Sequence, residues 1–254
     1  LLRLDAAGFF RPSPRPVEGS AMAQLFHRSA NTIARATIGG IILGLGAFTV
    51  AACMLDRSPY ATDQNVVRDQ PVPFSHAHHV RDLGLDCRYC HTSVTDSTFA
   101  GIPPTKTCMT CHSRIWTDAA ILQPVRQSWS DEIPIHWTRV HNLPDFVYFP
   151  HDIHVNKGVA CVECHGPVNQ MPLMFQAASL EMSWCLECHR DPADHLRPRD
   201  QVFNMDFSLD ERIKKEYSTP EHPVVDQKTL GQALVSLYHV PTDGRITNCY
   251  TCHR

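Results

Sequence analysis

Along most of this chain the apolar positions follow no sustained period, and the exception comes early. Residues 36–55 read ATIGGIILGLGAFTVAACML, twenty positions without a formal charge. The run is apolar on every face, and at 1.5 Å per residue it extends for about 30 Å. It predicts one membrane-spanning helix. Helical patterning returns only downstream. Ser208-x-x-Glu211 predicts a capping box opening a helix to Tyr217, and Leu230, Leu234 and Leu237 share one face of a second helix over Thr229–His239, interrupted by Gly231. Elsewhere Pro59, Pro71, Pro73, Pro103, Pro104, Pro124, Pro134 and Pro144 break the chain too often for long helices or central strands.

Arg28 and Arg35 precede the apolar run, with Arg3, Arg11 and Arg15 upstream. This bias keeps the N-terminus in the cytoplasm and everything after the span on the periplasmic side of the inner membrane. Residues 1–35 are then a cytoplasmic segment, 36–55 the membrane helix and 56–254 a periplasmic domain. A cleaved signal peptide, or a lipoprotein box Val50-Ala51-Ala52-Cys53 that lipidates Cys53, are the competing readings. Gly40-x-x-x-Gly44 offers a close-packing face to another membrane helix. Met22 reads as the true start, after a Pro- and Arg-rich leader.

The cysteines change the picture. Ten of eleven form five Cys-x-x-Cys pairs, Cys87/Cys90, Cys108/Cys111, Cys161/Cys164, Cys185/Cys188 and Cys249/Cys252, each followed at once by His91, His112, His165, His189 or His253. Two thiols on one side of a helical turn can each form a thioether with a haem vinyl group, and the next histidine supplies a nitrogen to iron. Zinc ribbons and redox dithiols do not require that histidine. Five covalent haem c groups are expected. With one haem per roughly 40 residues, the predicted fold is a multihaem cytochrome c of class III type: mostly irregular, with the haems forming the interior and short helices wrapped around them. The formal charge of −3 argues against a nucleic-acid partner.

An internal repeat lies over these motifs. Phe74-x-His76-x-x-His79 precedes the first two, and Phe149-x-His151-x-x-His154 the next two. The offset is 75 positions at Phe and His and 74 at the following cysteine, and Gly84 has its counterpart in Gly158. Two-haem modules over 74–112 and 149–189 follow, with a fifth haem at 249–253. The repeated His76, His79, His151 and His154 are the candidate distal iron ligands. His78 has Ile153 opposite it in the second module and reads as non-ligating. For the fifth iron His141 is the favoured distal ligand, with Met171, Met174, Met182 and Met205 as alternatives. Phe74, Phe149, Trp137 and Trp184 are expected to pack on porphyrin edges.

The stretches PVPFSHAHHVRDLGLDCRYCHTSV, FAGIPPTKTCMTCHSRIW, HWTRVHNLPDFVYFPHDIHVNKGVACVECHG and LEMSWCLECHR resemble the pentahaem cytochrome subunit of alternative complex III. The resemblance covers nearly all of the outer domain. It implies an electron-transfer subunit of a quinol:acceptor oxidoreductase, not itself an enzyme, in a respiratory or photosynthetic chain. It also implies partners: an iron–sulfur, molybdopterin-like subunit, polytopic quinol-binding subunits and a monohaem cytochrome c. The alternative is a multihaem reductase of a small oxyanion with one open iron. No Cys-x-x-Cys-Lys occurs, and no Ser-His-Asp set, phosphate loop or paired-carboxylate signature stands out.

Overall fold

The computed structural model describes residues 25–253, together with the backbone of an antiparallel pair, β1 (Arg3–Leu4) and β2 (Phe10–Arg11). The expected start at Met22 and most of the segment before the span lie outside the described residues. The chain divides into two units, Leu1–Cys53 and Met54–Arg254.

The first unit is dominated by α1 (Ala30–Asp56), 27 residues with none buried. Its length of about 40 Å exceeds a hydrocarbon core. It starts six residues before the uncharged run, because Asn31, Thr32 and Arg35 are tolerated in a helix once the apolar turns beyond them have formed. Among the described residues it is the one helix long and apolar enough to cross a membrane. A Cβ added at Gly39, Gly40, Gly44 or Gly46 would meet nothing within 4 Å, so no contact within the chain uses these glycines.

The second unit is built of short helices: α2 (Pro59–Thr62), α3 (Cys87–Cys90), α4 (Thr105–His112), α5 (Gln123–Asp131), α6 (His151–Asn156), α7 (Cys161–His165), α8 (Met182–Arg190), α9 (Glu211–Tyr217), α10 (Gln227–Leu237) and α11 (Cys249–Cys252). Every Cys-x-x-Cys pair lies on a helical turn. In α3, α7 and α11 the first cysteine opens the helix; in α4 and α8 the pair closes it. Asp86 and Asn248 cap α3 and α11 by accepting from the backbone N–H groups of Arg88 and Tyr250.

The repeat is visible in space, with one difference. In the second module His151 and His154 lie on α6, an ordinary α-turn. In the first module the same stretch is a π-helical turn, Ala77–Asp82, with Leu83 N–H donating to the His78 carbonyl at 3.1 Å. The first module has one more residue between its ligand pair and its cysteines, and the wider π-turn takes it up. Gly84 and Gly158 then reverse the chain after each turn at φ +69° and +89°, backbone that a side chain would strain.

The modules are interlocked. The backbone N–H groups of His151 and Asp152 donate to Thr98 and Ser97 of the first module, both at 3.2 Å, and Asn156 Nδ2 donates to the Thr95 carbonyl at 2.8 Å. In return the N–H of Ala77 reaches the Met171 carbonyl at 3.0 Å. The apolar core is split accordingly. Val72, Leu122 and Val125 form one small cluster and Val94, Val155 and Val202 another, with Cys108 and Cys161 packed against them.

The third cluster is a conventional one: Leu196, Ile213, Val224, Leu230, Leu234 and Tyr238. The helices predicted here form, with corrected ends. Asp210, not Ser208, caps α9, its carboxylate accepting from Ile213 N–H. A capping box of Asp226 and Thr229 opens α10 two residues before the expected start. Leu234 is fully enclosed. Leu234→Ala is expected to cost about 2–5 kcal/mol, read as a lower midpoint in denaturant unfolding with an unchanged slope.

Candidate functional site

Phe74 and Phe149 organise the two ligand turns in the same way. Phe74 stacks on His79 with ring centroids 4.3 Å apart and meets His76 edge-on at 4.8 Å. Phe149 stacks on His154 at 4.3 Å and meets His151 edge-on at 4.8 Å. Each phenylalanine wedges a pair of histidines into two different directions, so one turn can face two metals.

Three of these histidines face a motif histidine. The ring centroids of His79 and His112 are 6.3 Å apart, those of His151 and His165 6.4 Å, and those of His154 and His189 6.1 Å. Metal–nitrogen bonds of about 2.0–2.1 Å on either side of one ion, added to the ring radii, bring two imidazole centroids to roughly this separation. The interplanar angles are 67°, 13° and 24°. His76 is half-buried, its enclosed Nδ1 has no hydrogen-bond partner, and the group that most disfavours its charged form, after burial, is His91 of the first motif.

In seven of these rings the other nitrogen is held by the backbone. Nδ1 donates to the carbonyl of Gly101 from His91 (2.7 Å), of Ile115 from His112 (3.2 Å), of Ile246 from His189 (2.6 Å) and of Phe146 from His253 (3.1 Å). On the distal side His79, His151 and His154 donate to Ser75, Thr98 and Pro150, each at 2.8 Å. A proton fixed on Nδ1 leaves the Nε2 lone pair for a metal. Burial acts the same way, because it disfavours imidazolium. It pulls His76 down to about 4, and His165 down to about 3, helped there by the neighbouring His141, His151, His91 and His76. His79 and His154 are lowered too, again first by burial. The three pairs at this spacing, with their Nδ1 hydrogen bonds, fit covalent haem held between two histidines.

The Nε2 of His141 lies 3.2 Å from Nδ1 of His165, with ring centroids 4.3 Å apart. His78 is half-exposed, 3.6 Å from Asp82, and its ring runs parallel to Trp116. Of the methionines, Met171 is fully buried and Met182 exposed.

The attachment sites adjoin one another. Burial and then Cys108 raise the Cys90 thiol. Contact with Cys87, with burial behind it, raises Cys161. Cys164 is pushed up to about 12 by burial and then Cys188, and Cys185 is raised by burial and then Cys252. Sequence reasoning did not find the charged group between the third and fourth sites. Glu163, inside the motif Cys161-x-x-Cys164, accepts from His195 Nδ1 and from Arg197 Nη2, both at 3.1 Å, and raises His195. An acid within the motif was the available signal.

Cys111 and Cys249 are exposed, whereas Cys87, Cys90, Cys108, Cys161, Cys164, Cys185, Cys188 and Cys252 are half-buried. For Cys111 the reason is its place on α4. Cys108, three positions earlier, packs against the Val72, Leu122 and Val125 cluster, whereas Cys111 lies in the last turn, one residue before the helix ends at His112. The Cys111 thiol touches a polar neighbour, with Thr110 Oγ1 at 3.9 Å, and its carbonyl accepts from Arg114 and Ile115 at 2.9 and 3.0 Å. The second motif is anchored to this cluster through Cys108 and Met109. Cys249 opens α11, next to the equally exposed Tyr250.

A multihaem cytochrome c subunit of menaquinone reductase from Nitratidesulfovibrio vulgaris is 34% identical over 128 residues. The likeness is to a multihaem cytochrome c. It covers 50% of this chain, and the chain spans about half (54%) of that relative's length. No family model matches the chain.

Proposed function

We propose that this chain is a membrane-anchored pentahaem cytochrome c that relays electrons within a quinone-linked oxidoreductase complex. The observation that carries the reading is the set of three histidine pairs 6.1–6.4 Å apart, each joining a motif histidine to one from a Phe-x-His-x-x-His turn. Haem c, when bound at such a site, exchanges single electrons at its iron. The cysteines of the five motifs hold the groups, the exposed Cys111 and Cys249 included. His91, His112, His165, His189 and His253 supply the proximal nitrogens, and His76, His79, His151 and His154 the distal ones.

The residues of the chain do two further things. The Nδ1 hydrogen bonds fix each ring so that little rearranges between oxidation states. The contact of Cys161 with Cys87, and the proximity of Cys90 to Cys108, Cys164 to Cys188 and Cys185 to Cys252, favour one file of sites: Cys108/Cys111, then Cys87/Cys90, Cys161/Cys164, Cys185/Cys188 and Cys249/Cys252. The order in space differs from the order in sequence, because the first module is entered through its second motif. The ends of the file are the sites of His112 and His253, and they are the two that hold the exposed cysteines.

The name of the relative supports a quinone-linked complex. The resemblance of the quoted stretches favours alternative complex III, with an iron–sulfur subunit, polytopic quinol-binding subunits and a monohaem cytochrome as partners. In this reading α1 anchors the chain in the inner membrane, with the haem domain in the periplasm. The test is direct. The intact mass and the alkaline pyridine spectrum of the purified chain are expected to give five haems; four or fewer would remove the pentahaem assignment. Native membranes run on a mild-detergent gel and stained for haem should carry this chain together with an iron–sulfur protein and polytopic subunits.

A further inference from the structure

Four of the five motif histidines donate Nδ1–H to a backbone carbonyl; His165 meets a side chain instead. We infer that His141 is a positioning residue for His165, accepting the His165 Nδ1 proton at its own Nε2 and thereby fixing the ring and strengthening its donation to the third haem iron. The inference rests on the proposed reading that His165 is an iron ligand, and it deepens that reading by giving this one site a tuning group.

The geometry supports it from both sides of the ring. His151 faces His165 at 6.4 Å and nearly parallel, the separation for a shared metal, whereas His141 is at 4.3 Å and inclined by 68°. The two neighbours are thus not equivalent: one sits at bridging distance, the other at hydrogen-bonding distance. His141 is itself held by its own chain, its carbonyl accepting from Arg139 Nε at 3.3 Å.

The chemical consequence follows from the acceptor. An imidazole nitrogen is a stronger base than an amide oxygen. A proton shared with it leaves more electron density on the donor ring than one shared with a carbonyl. A more electron-rich axial ligand favours ferric iron and lowers the reduction potential. The Cys161/Cys164 site, central in the file, is therefore held at a lower potential than its own histidine pair would give. The acceptor here is a side chain, so it can be changed without touching the backbone that carries the ligands.

The experiment uses the full-length holoprotein with His141→Leu, which removes the acceptor, and His141→Gln, which restores one as an amide oxygen. Haem stoichiometry, low-temperature EPR of the ferric state and a redox titration resolved into single haems are read together. The expected result is five haems, all low-spin, with one midpoint potential shifted upward in His141→Leu and less so in His141→Gln. Unchanged potentials in both variants would overturn the inference and leave His141 as packing. A new high-spin signal in His141→Leu would also overturn it, making His141 an iron ligand. Peptide mapping of the wild-type protein for haem on Cys161 and Cys164 separates these failures from failure of the underlying reading.

Discussion

Serine at both Cys161 and Cys164 is expected to divide the file of attachment sites into two pairs, while serine at both Cys249 and Cys252 only shortens it by one. Each double variant should lose about one-fifth of the haem absorbance, because each removes one motif of five. They should differ in kinetics. After partial reduction by a light pulse, redistribution between the sites on either side of the third should largely vanish in the Cys161/Cys164 variant and persist in the Cys249/Cys252 variant. The contrast follows from position: Cys161 touches Cys87 on one side, and Cys164 neighbours Cys188 on the other. Equal redistribution in both would mean the sites branch rather than follow in line. Cys161 also packs against the Val94, Val155 and Val202 cluster, so circular dichroism of both variants is the control for folding.

Gly231→Ala is expected to destabilise the haem-free core, although it adds only one methyl group. Ordinarily alanine in a helix interior stabilises by about 1 kcal/mol over glycine. Here a Cβ would overlap the carbonyl of Ala193, since α10 lies directly against the short turn Pro192–His195. Overpacking against backbone costs about 1–3 kcal/mol, more where nothing can yield, and a carbonyl fixed in a turn yields little. The expected net loss is about 2 kcal/mol, which places the unfolding midpoint clearly below that of wild type. Gln232→Ala, at the next and exposed position, should leave the midpoint where it was. A Gly231→Ala variant as stable as wild type would mean that the helix can slide away from Ala193.

How much of this was legible in the sequence depends on the range of the interaction. The five motifs and the Phe-x-His-x-x-His repeat are local chemistry at fixed spacing, and they could be read directly. So could the apolar run, though its helix extends six residues further because the polar residues before it join a helix at little cost. Asp210 outcompetes Ser208 as a cap, and only the backbone course after Phe207 decides between them. Gly231 reads as a weak point in a helical pattern, whereas the fold makes it the residue that lets two backbones meet. Spacing also treats the five motifs as equals, and the exposure of Cys111 against the packing of Cys108 shows that they are not. Which side of α4 meets the Val72 cluster is settled by chain far from the motif. His141 illustrates the same limit. Its distance in sequence to His165 and to each iron candidate is uninformative, and the contact that gives it a role is made by a loop crossing from one module to the other. The salt-bridged Glu163 is similar: the acid is visible, its partners His195 and Arg197 are not.

The π-turn of the first module has a consequence for how such chains change over time. It separates two lengths that would otherwise be tied, the span from ligand pair to cysteines and the pitch that aims the histidines. A residue gained there is stored in the winding of the turn, and His76 and His79 keep the orientation that Phe74 imposes. Duplicated modules can therefore drift in length at this place while remaining interchangeable in redox geometry, a form of tolerance that substitutions at the ligands themselves do not have.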